Sequence, residues 1–238
     1  MIETTKAIVI NTIKYGDTSL IATCYTQKRG IKTYMLKGVL KAKKTKIKAA
    51  YFQPLMQLTL TANHNNKGNL NSIRDVEVTN FYNSIYTDIK KQTIALFLAE
   101  IVYYSVREEE QNNVLYQYLE ASFLWLDTHD TVSNFHLLFL LNLTKFLGFY
   151  PEITTSTNLY FDLLEGNFTQ NKRPNTVTGE NLIQFKKLLG INFDVLHTID
   201  YNAANRQAIL AILIQYFELH LGGFKKPKSI AILKSVFS

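Results

Sequence analysis

The segment AIVINTIKYGDTSLIATCYTQKRG occupies residues 7–30 and decides the fold of the first part of the chain. Residues 7–14 and 19–26 are apolar runs rich in β-branched side chains, which favour strands. Tyr15-Gly16-Asp17 follows the first run, and the segment QKRG follows the second, where Gly30 is free to adopt a positive φ. The segment therefore predicts two strands, each ending in a turn.

Three more strands are predicted downstream, at residues 31–39, 52–61 and 70–78. Pro54 falls near the start of the second of these, where a missing N–H is tolerated. Five short strands within about eighty residues predict a small closed barrel, and the OB-fold is one such barrel. An OB-fold binds single-stranded nucleic acid on one face and in its loops.

The rest of the chain has the apolar spacing of amphipathic helices. Helices are predicted at residues 88–106, 114–126, 135–147, 178–189, 205–221 and 229–236. The third is apolar nearly all round, so we expect it at the centre of its domain. The pattern around Glu165-Gly166 predicts a hairpin. The fold class is therefore α+β, with an N-terminal five-stranded OB-fold barrel at 1–80 and a helical domain with a small β-hairpin insertion at 81–238.

Charge is distributed very unevenly along the chain. The net charge is +7, yet residues 1–80 carry +9 and residues 81–238 carry −2. Residues 18–74 contain eleven Lys and Arg and no Asp or Glu. Such a stretch attracts a polyanion, and nucleic acid is the commonest one. The alternative is a solvated basic loop without a partner.

The candidate nucleic-acid contacts lie in this acid-free stretch. The basic candidates are Lys28, Arg29, Lys32, Lys37, Lys41, Lys43, Lys44, Lys46 and Lys48. Tyr34 and Tyr51 are the candidate rings for stacking on bases. The alternative for either ring is ordinary barrel core.

Catalytic and metal-binding motifs are missing from the sequence. Cys24 is the single cysteine, so the chain offers neither an intrachain disulfide nor a cysteine-based zinc site. No phosphate-binding glycine loop occurs, and the five histidines show no metal-ligand spacing. We therefore expect no enzyme, cofactor or metal. The most apolar stretch, residues 135–150, is too short to span a bilayer, which predicts a soluble cytosolic protein.

Several segments together resemble the bacterial recombination mediator family RecO. AIVINTIKYGDTSLIATCYTQKRG, LKGVLKAKK and FQPLMQLTL resemble its barrel domain. HLLFLLNLTKFLGFYP and ELHLGGFKKPKSIAIL resemble its helical domain. Many members carry four cysteines after the Gly-x-x-Pro as a zinc module. This chain has no cysteine at residues 152–174, and this departure from the family pattern predicts a hairpin without zinc there.

The resemblance implies a non-enzymatic DNA repair protein of the cytoplasm, associated with the nucleoid. Such proteins bind single- and double-stranded DNA, anneal complementary strands and, with RecR, help RecA replace the single-stranded-DNA-binding protein (SSB). The acidic tail of SSB is expected to bind the helical domain, between basic residues and an apolar groove. The candidates for that contact are Arg206, Lys225, Lys226, Lys228, Tyr216 and Phe217. An RNA-binding barrel module and a structural adaptor remain as alternatives.

Overall fold

Five strands form a closed barrel in the computed structural model, which describes residues 2–41, 46–64, 70–107, 109–154 and 158–237. The strands are β1 (Ile2–Tyr15), β2 (Ser19–Thr26), β3 (Gly30–Leu36), β4 (Gln57–Asn63) and β5 (Asn71–Asn80). They pair in the order β1-β2-β3-β5-β4, and β4 pairs back with β1. This is the OB-fold predicted from the sequence.

The long first strand, β1, pairs with two different strands of the barrel. Its first half pairs with β4, from Ile2 to Ile8, and its second half pairs with β2. The change of partner coincides with a bulge between Val9 and Asn11 in the β1–β2 register. A bulge bends a strand and increases its twist, which lets one strand turn the corner of a barrel.

The fourth strand begins later than the sequence pattern predicts. A 3₁₀ turn covers Ala49–Phe52, and β4 starts at Gln57 instead of residue 52. Leu55 has φ of 66° and cannot continue a strand. Its N–H donates to the carbonyl of Val9, and the N–H of Val9 donates to the carbonyl of Met56. Pro54 thus lies in the link before β4.

The barrel closes at a short parallel pairing between β3 and β5. Only Tyr34↔Asn71 and Met35↔Ser72 are in register there. The Asn71 amide adds a 3.0 Å hydrogen bond to the carbonyl of Thr33. Beyond these pairs the two strands part, because β3 ends at Leu36 while β5 continues to Asn80.

By compactness the chain divides into two units, residues 1–128 and 129–238. The first unit therefore includes two helices besides the barrel, α1 (Ile89–Ser105) and α2 (Asn113–Thr128). This grouping is broader than the barrel domain expected at residues 1–80, and that boundary stays a prediction. The ring of Tyr25 on the barrel stacks on Tyr116 of α2 at 6.2 Å between ring centres.

The second unit consists of helices around a small sheet. It contains α3 (Phe135–Leu147), α4 (Gly179–Leu188), α5 (Ala203–His220) and α6 (Ile230–Val236). Its strands are β6 (Tyr160–Asp162), β7 (Asn167–Thr169) and β8 (Thr176–Val177). The first ten residues of α3 are all buried, as expected for a central helix. The predicted hairpin is β6–β7, to which β8 adds a third strand. No helix in the described part of the chain is long and apolar enough to cross a membrane.

Candidate nucleic-acid interface

The basic candidates at the start of β3 are already engaged within the protein. Arg29 Nε lies 2.6 Å from Glu3 Oε2, and Lys32 Nζ lies 2.9 Å from Glu109 Oε2. The hydrogen bonds from these two cations hold the pKa of Glu3 and of Glu109 below the usual value for a carboxyl group. Lys28 Nζ donates to the carbonyl of Thr4 at 2.8 Å. These three side chains are compensated or held, and they offer less charge to a ligand.

The lysines that follow β3 are open to solvent instead. Lys37, Lys41, Lys46 and Lys48 are exposed, and none has an ion pair with another described residue. Lys48 Nζ lies 5.8 Å from the centre of the half-buried Tyr51 ring. We call Lys37, Lys41, Lys46 and Lys48 the open lysine group. Lys43 and Lys44, the other two basic candidates of this segment, lie outside the described residues.

A cleft of about 450 Å³ opens beside this group, where β3 and β5 part. Its walls are formed by Met35, Leu36, Lys37, Val39, Lys46, Ile47, Ser72, Ile73 and Arg74. The cleft thus combines aliphatic walls with three cations. Arg74 is exposed on β5 and belongs to the acid-free stretch, but sequence reasoning did not select it. Its alternating position on a strand that reaches the basic loop could have indicated it.

The turn between β1 and β2 lies against the same segment. The N–H of Leu40 donates to the carbonyl of Thr18 at 2.9 Å, and the N–H of Gly38 donates to Ser19 Oγ at 3.1 Å. Tyr15, which pairs with Ser19 at the end of β1, is 57% exposed. Sequence reasoning missed this ring because it treated the residue only as part of a turn signal.

Tyr34 does not fit its expected role. Its side chain is 0% exposed, and it shares a 3.0 Å hydrogen bond with His64 Nε2. Burial raises the pKa of Tyr34. The alternation along β3 turns this residue into the barrel, so its ring has no free face for a base. Tyr34 belongs to the barrel core.

Two of the candidates for binding the SSB tail are also buried. Tyr216 and Phe217 are 1% and 0% exposed, and Tyr216 Oη donates to the carbonyl of Phe149 at 2.7 Å. They form the core of the second unit and cannot line an open groove in this structure. Arg206 is half-buried, and its guanidinium donates to the carbonyls of Tyr201 and Phe237.

The remaining basic candidates of the second unit are open to solvent. Lys225, Lys226 and Lys228 are exposed in the segment between α5 and α6. They lie close together in the chain, after α5 ends at His220.

The cysteine-free interval at residues 152–174 holds its hairpin together with aromatic side chains. The rings of Phe161 and Phe168 lie 5.0 Å apart, and Phe161 lies 5.0 Å from Phe185 of α4. Among the residues that the structure describes, no group of three or more His, Cys, Asp or Glu side chains could hold a metal ion.

The sequence matches models of one protein family along nearly its whole length. The family described as Recombination protein O N terminal matches residues 1–82, and Recombination protein O C terminal matches residues 86–229. The chain belongs to the RecO family of DNA repair proteins. The resemblance stated above is therefore confirmed along nearly the whole chain.

Individual relatives cover the chain from end to end. It is 44% identical to the DNA repair protein RecO of Flavobacterium psychrophilum and 45% identical to that of Christiangramia forsetii, over 234 residues and 98% of each chain. It is 36% identical to the DNA repair protein RecO of Bacteroides fragilis over 243 aligned positions and 100% of each chain. These relatives place the chain among DNA repair proteins.

Proposed function

We propose that the chain binds single- and double-stranded DNA without sequence preference and anneals complementary strands. We further propose that, together with RecR, it helps RecA replace SSB on single-stranded DNA. The observation that supports the proposal best is the open lysine group on an OB-fold barrel, beside a cleft whose rim adds Arg74.

Annealing requires two polyanions to approach one another. Cations that bind phosphates release condensed counterions and reduce the repulsion between the strands. Lysine suits this role because it responds to charge without selecting a base. Nothing in this mechanism requires a catalytic group or a cofactor, so the protein acts by binding.

The proposed partners divide between the two units. DNA binds the barrel surface in the first unit, because the open lysine group and Arg74 are found there. The acidic tail of SSB is assigned to Lys225, Lys226 and Lys228 of the second unit, which are exposed. The buried Tyr216 and Phe217 drop out of that assignment.

The proposal is tested by measuring affinity for labelled single-stranded DNA, duplex DNA and RNA over a range of salt concentrations. For DNA we expect log K to fall linearly with log salt, with the slope of several phosphate contacts. Annealing of SSB-coated complementary strands should be faster with the protein, and RecR should be included and omitted in parallel. Absence of salt-sensitive binding would favour a structural adaptor. Tighter binding of RNA than of DNA would favour an RNA-binding module.

A further inference from the structure

The cleft at the closure of the barrel has the features of a binding site for a small flat group. It exists because the β3–β5 pairing stops after Met35↔Ser72, so the strands part and leave their side chains facing a gap. Val39 and Ile73 contribute aliphatic walls. A volume of about 450 Å³ lies within the range of small-molecule sites.

The three cations that line this apolar gap come from two separate segments of the chain. Lys37 and Lys46 belong to the segment that follows β3, and Arg74 belongs to β5. No carboxylate is among the described side chains that line the cleft. A nucleotide within a strand carries a flat aromatic base on a sugar that has a phosphate on either side. Such a group matches an apolar slot lined by several cations. A base in a duplex is stacked and paired, so it cannot enter such a slot.

We infer that this cleft takes one unstacked base of a single DNA strand, while Lys37, Lys46 and Arg74 hold the phosphates on either side. The inference rests on the proposed DNA binding and adds that one part of the site distinguishes single strands from duplex. Duplex DNA contacts the exposed cations through its phosphates and leaves the cleft empty. A strand held in this way keeps its neighbouring bases available for pairing with a complement.

The first experiment uses the full chain without substitution. Its affinity for a short oligothymidine is compared with its affinity for an abasic oligomer of the same length and charge. We expect the abasic oligomer to bind about tenfold more weakly, because it has no ring whose surface the aliphatic walls of the cleft could bury. Equal affinities would overturn the inference.

The second experiment fills the cleft without changing its charge. Ser72 is exposed and lines the gap, and isoleucine suits its strand position. Ser72→Ile should bind oligothymidine about fivefold more weakly than the unsubstituted protein does. Its affinity for the abasic oligomer, its affinity for duplex DNA and its salt slope should stay unchanged. Thr79→Ile is the control, because this residue lies on the same strand roughly 23 Å further along. Circular dichroism and thermal unfolding confirm that both variants fold.

The outcomes separate this inference from the function on which it rests. If the unsubstituted protein binds no DNA, the proposed function fails. If Ser72→Ile binds oligothymidine as the unsubstituted protein does, only the base site fails. If it keeps full DNA affinity but no longer binds a short acidic peptide that ends in an apolar residue, the cleft is a peptide site and the inference is overturned.

Discussion

Lys91 of α1 donates a hydrogen bond to the main chain of Asp127 near the end of α2. Lys91 Nζ donates to the backbone carbonyl of Asp127 at 2.9 Å and to Ser84 Oγ at 2.7 Å, although the lysine is only 2% exposed. The Asp127 carboxylate accepts N–H groups from Asn83, Ser84 and Ile85 at 2.8–3.0 Å. The link from the barrel to α1 is therefore held by the end of α2.

We expect Asp127→Asn to destabilise the protein by about 1–3 kcal/mol. The carboxylate accepts several N–H groups, whereas the asparagine side chain would turn its own NH₂ donor toward one or more of them.

Burial raises the pKa of Asp127, but the hydrogen bonds from Asn83, Ser84 and Ile85 outweigh this effect, so the pKa lies below its ordinary value. A carboxyl with a depressed pKa contributes stability above its unfolded pKa, and this is lost as pH falls through the folded one.

Denaturant unfolding at pH 7 and in steps below about pH 4 measures both effects. The unsubstituted protein should lose more stability over the acidic range than Asp127→Asn does. Equal acid sensitivity of the two proteins would contradict the assignment.

The open lysine group should contribute more to DNA binding than the compensated cations. The triple change of Lys41, Lys46 and Lys48 to Gln removes three charges, and the triple change of Lys28, Arg29 and Lys32 to Gln removes the same number. For duplex DNA the first should flatten the slope of log K against log salt by about 0.9 for each phosphate that is no longer neutralised. The second should change it less, because Glu3 and Glu109 already neutralise two of its cations.

Salt titrations with labelled duplex measure this difference, with thermal unfolding as the check on folding. The second triple variant leaves Glu3 and Glu109 without their cations, so its stability is compared first. An equal or larger flattening of the slope in that variant would show that the ion-paired side contacts DNA.

Two tyrosines of the barrel should respond in opposite ways. Tyr34→Phe removes the hydroxyl that bonds His64, so we expect a loss of stability of about 1 kcal/mol and unchanged DNA affinity. Tyr15→Ala should leave stability nearly unchanged and weaken single-strand binding by roughly 1–3 kcal/mol, because its ring is exposed beside the basic segment. Unfolding and binding curves of both variants test the pair. Weaker DNA binding by a folded Tyr34→Phe would restore that residue as a DNA contact.

The exposed lysines after α5 should contribute to binding the acidic SSB tail. Changing Lys225 and Lys226 together to Ala should weaken binding of a tail peptide by about 1 kcal/mol, or roughly fivefold. Annealing of bare DNA should persist. Arg206→Ala should instead lower stability, because its guanidinium supports the carbonyls of Tyr201 and Phe237. Normal peptide binding by the double variant would remove the tail from this surface.

The β6–β7 turn should not tolerate a side chain at Gly166. This residue has φ of +68°, and an added Cβ would lie 2.7 Å from Tyr216 Oη. We expect Gly166→Ala to cost about 1–3 kcal/mol from backbone strain, with a further loss from the clash. Gly190→Ala is the matched control, because Gly190 has φ of +74° with no atom within 4 Å of the added Cβ. If thermal unfolding shows equal losses, the contact with Tyr216 contributes nothing.

The local pattern of the sequence was sufficient for the fold class and for the long helices and first strands, but not for the start of β4 or for β8. The β-branched runs and turns of residues 7–30 specify the first two strands, and the periodic apolar residues of α5 specify a helix, because both depend on neighbours in the chain. The acid-free stretch likewise indicated the barrel as the basic unit. These inferences succeed because a strand or helix presents a regular repeat that sequence spacing reveals.

Contacts between residues remote in sequence decided the rest. Pairing with Glu3 and Glu109 separates Arg29 and Lys32 from the open lysine group, and no local pattern shows those partners. The side chain of Tyr34 is buried because the sheet closes on itself, and closure joins β3 to β5 between residues far apart in the chain. The cleft beside Lys37 and Arg74 arises from the same closure. The sequence by itself determined a basic OB-fold barrel and a helical unit, while the tertiary structure decided which cations remain available to a ligand, because ion pairing and burial depend on three-dimensional packing.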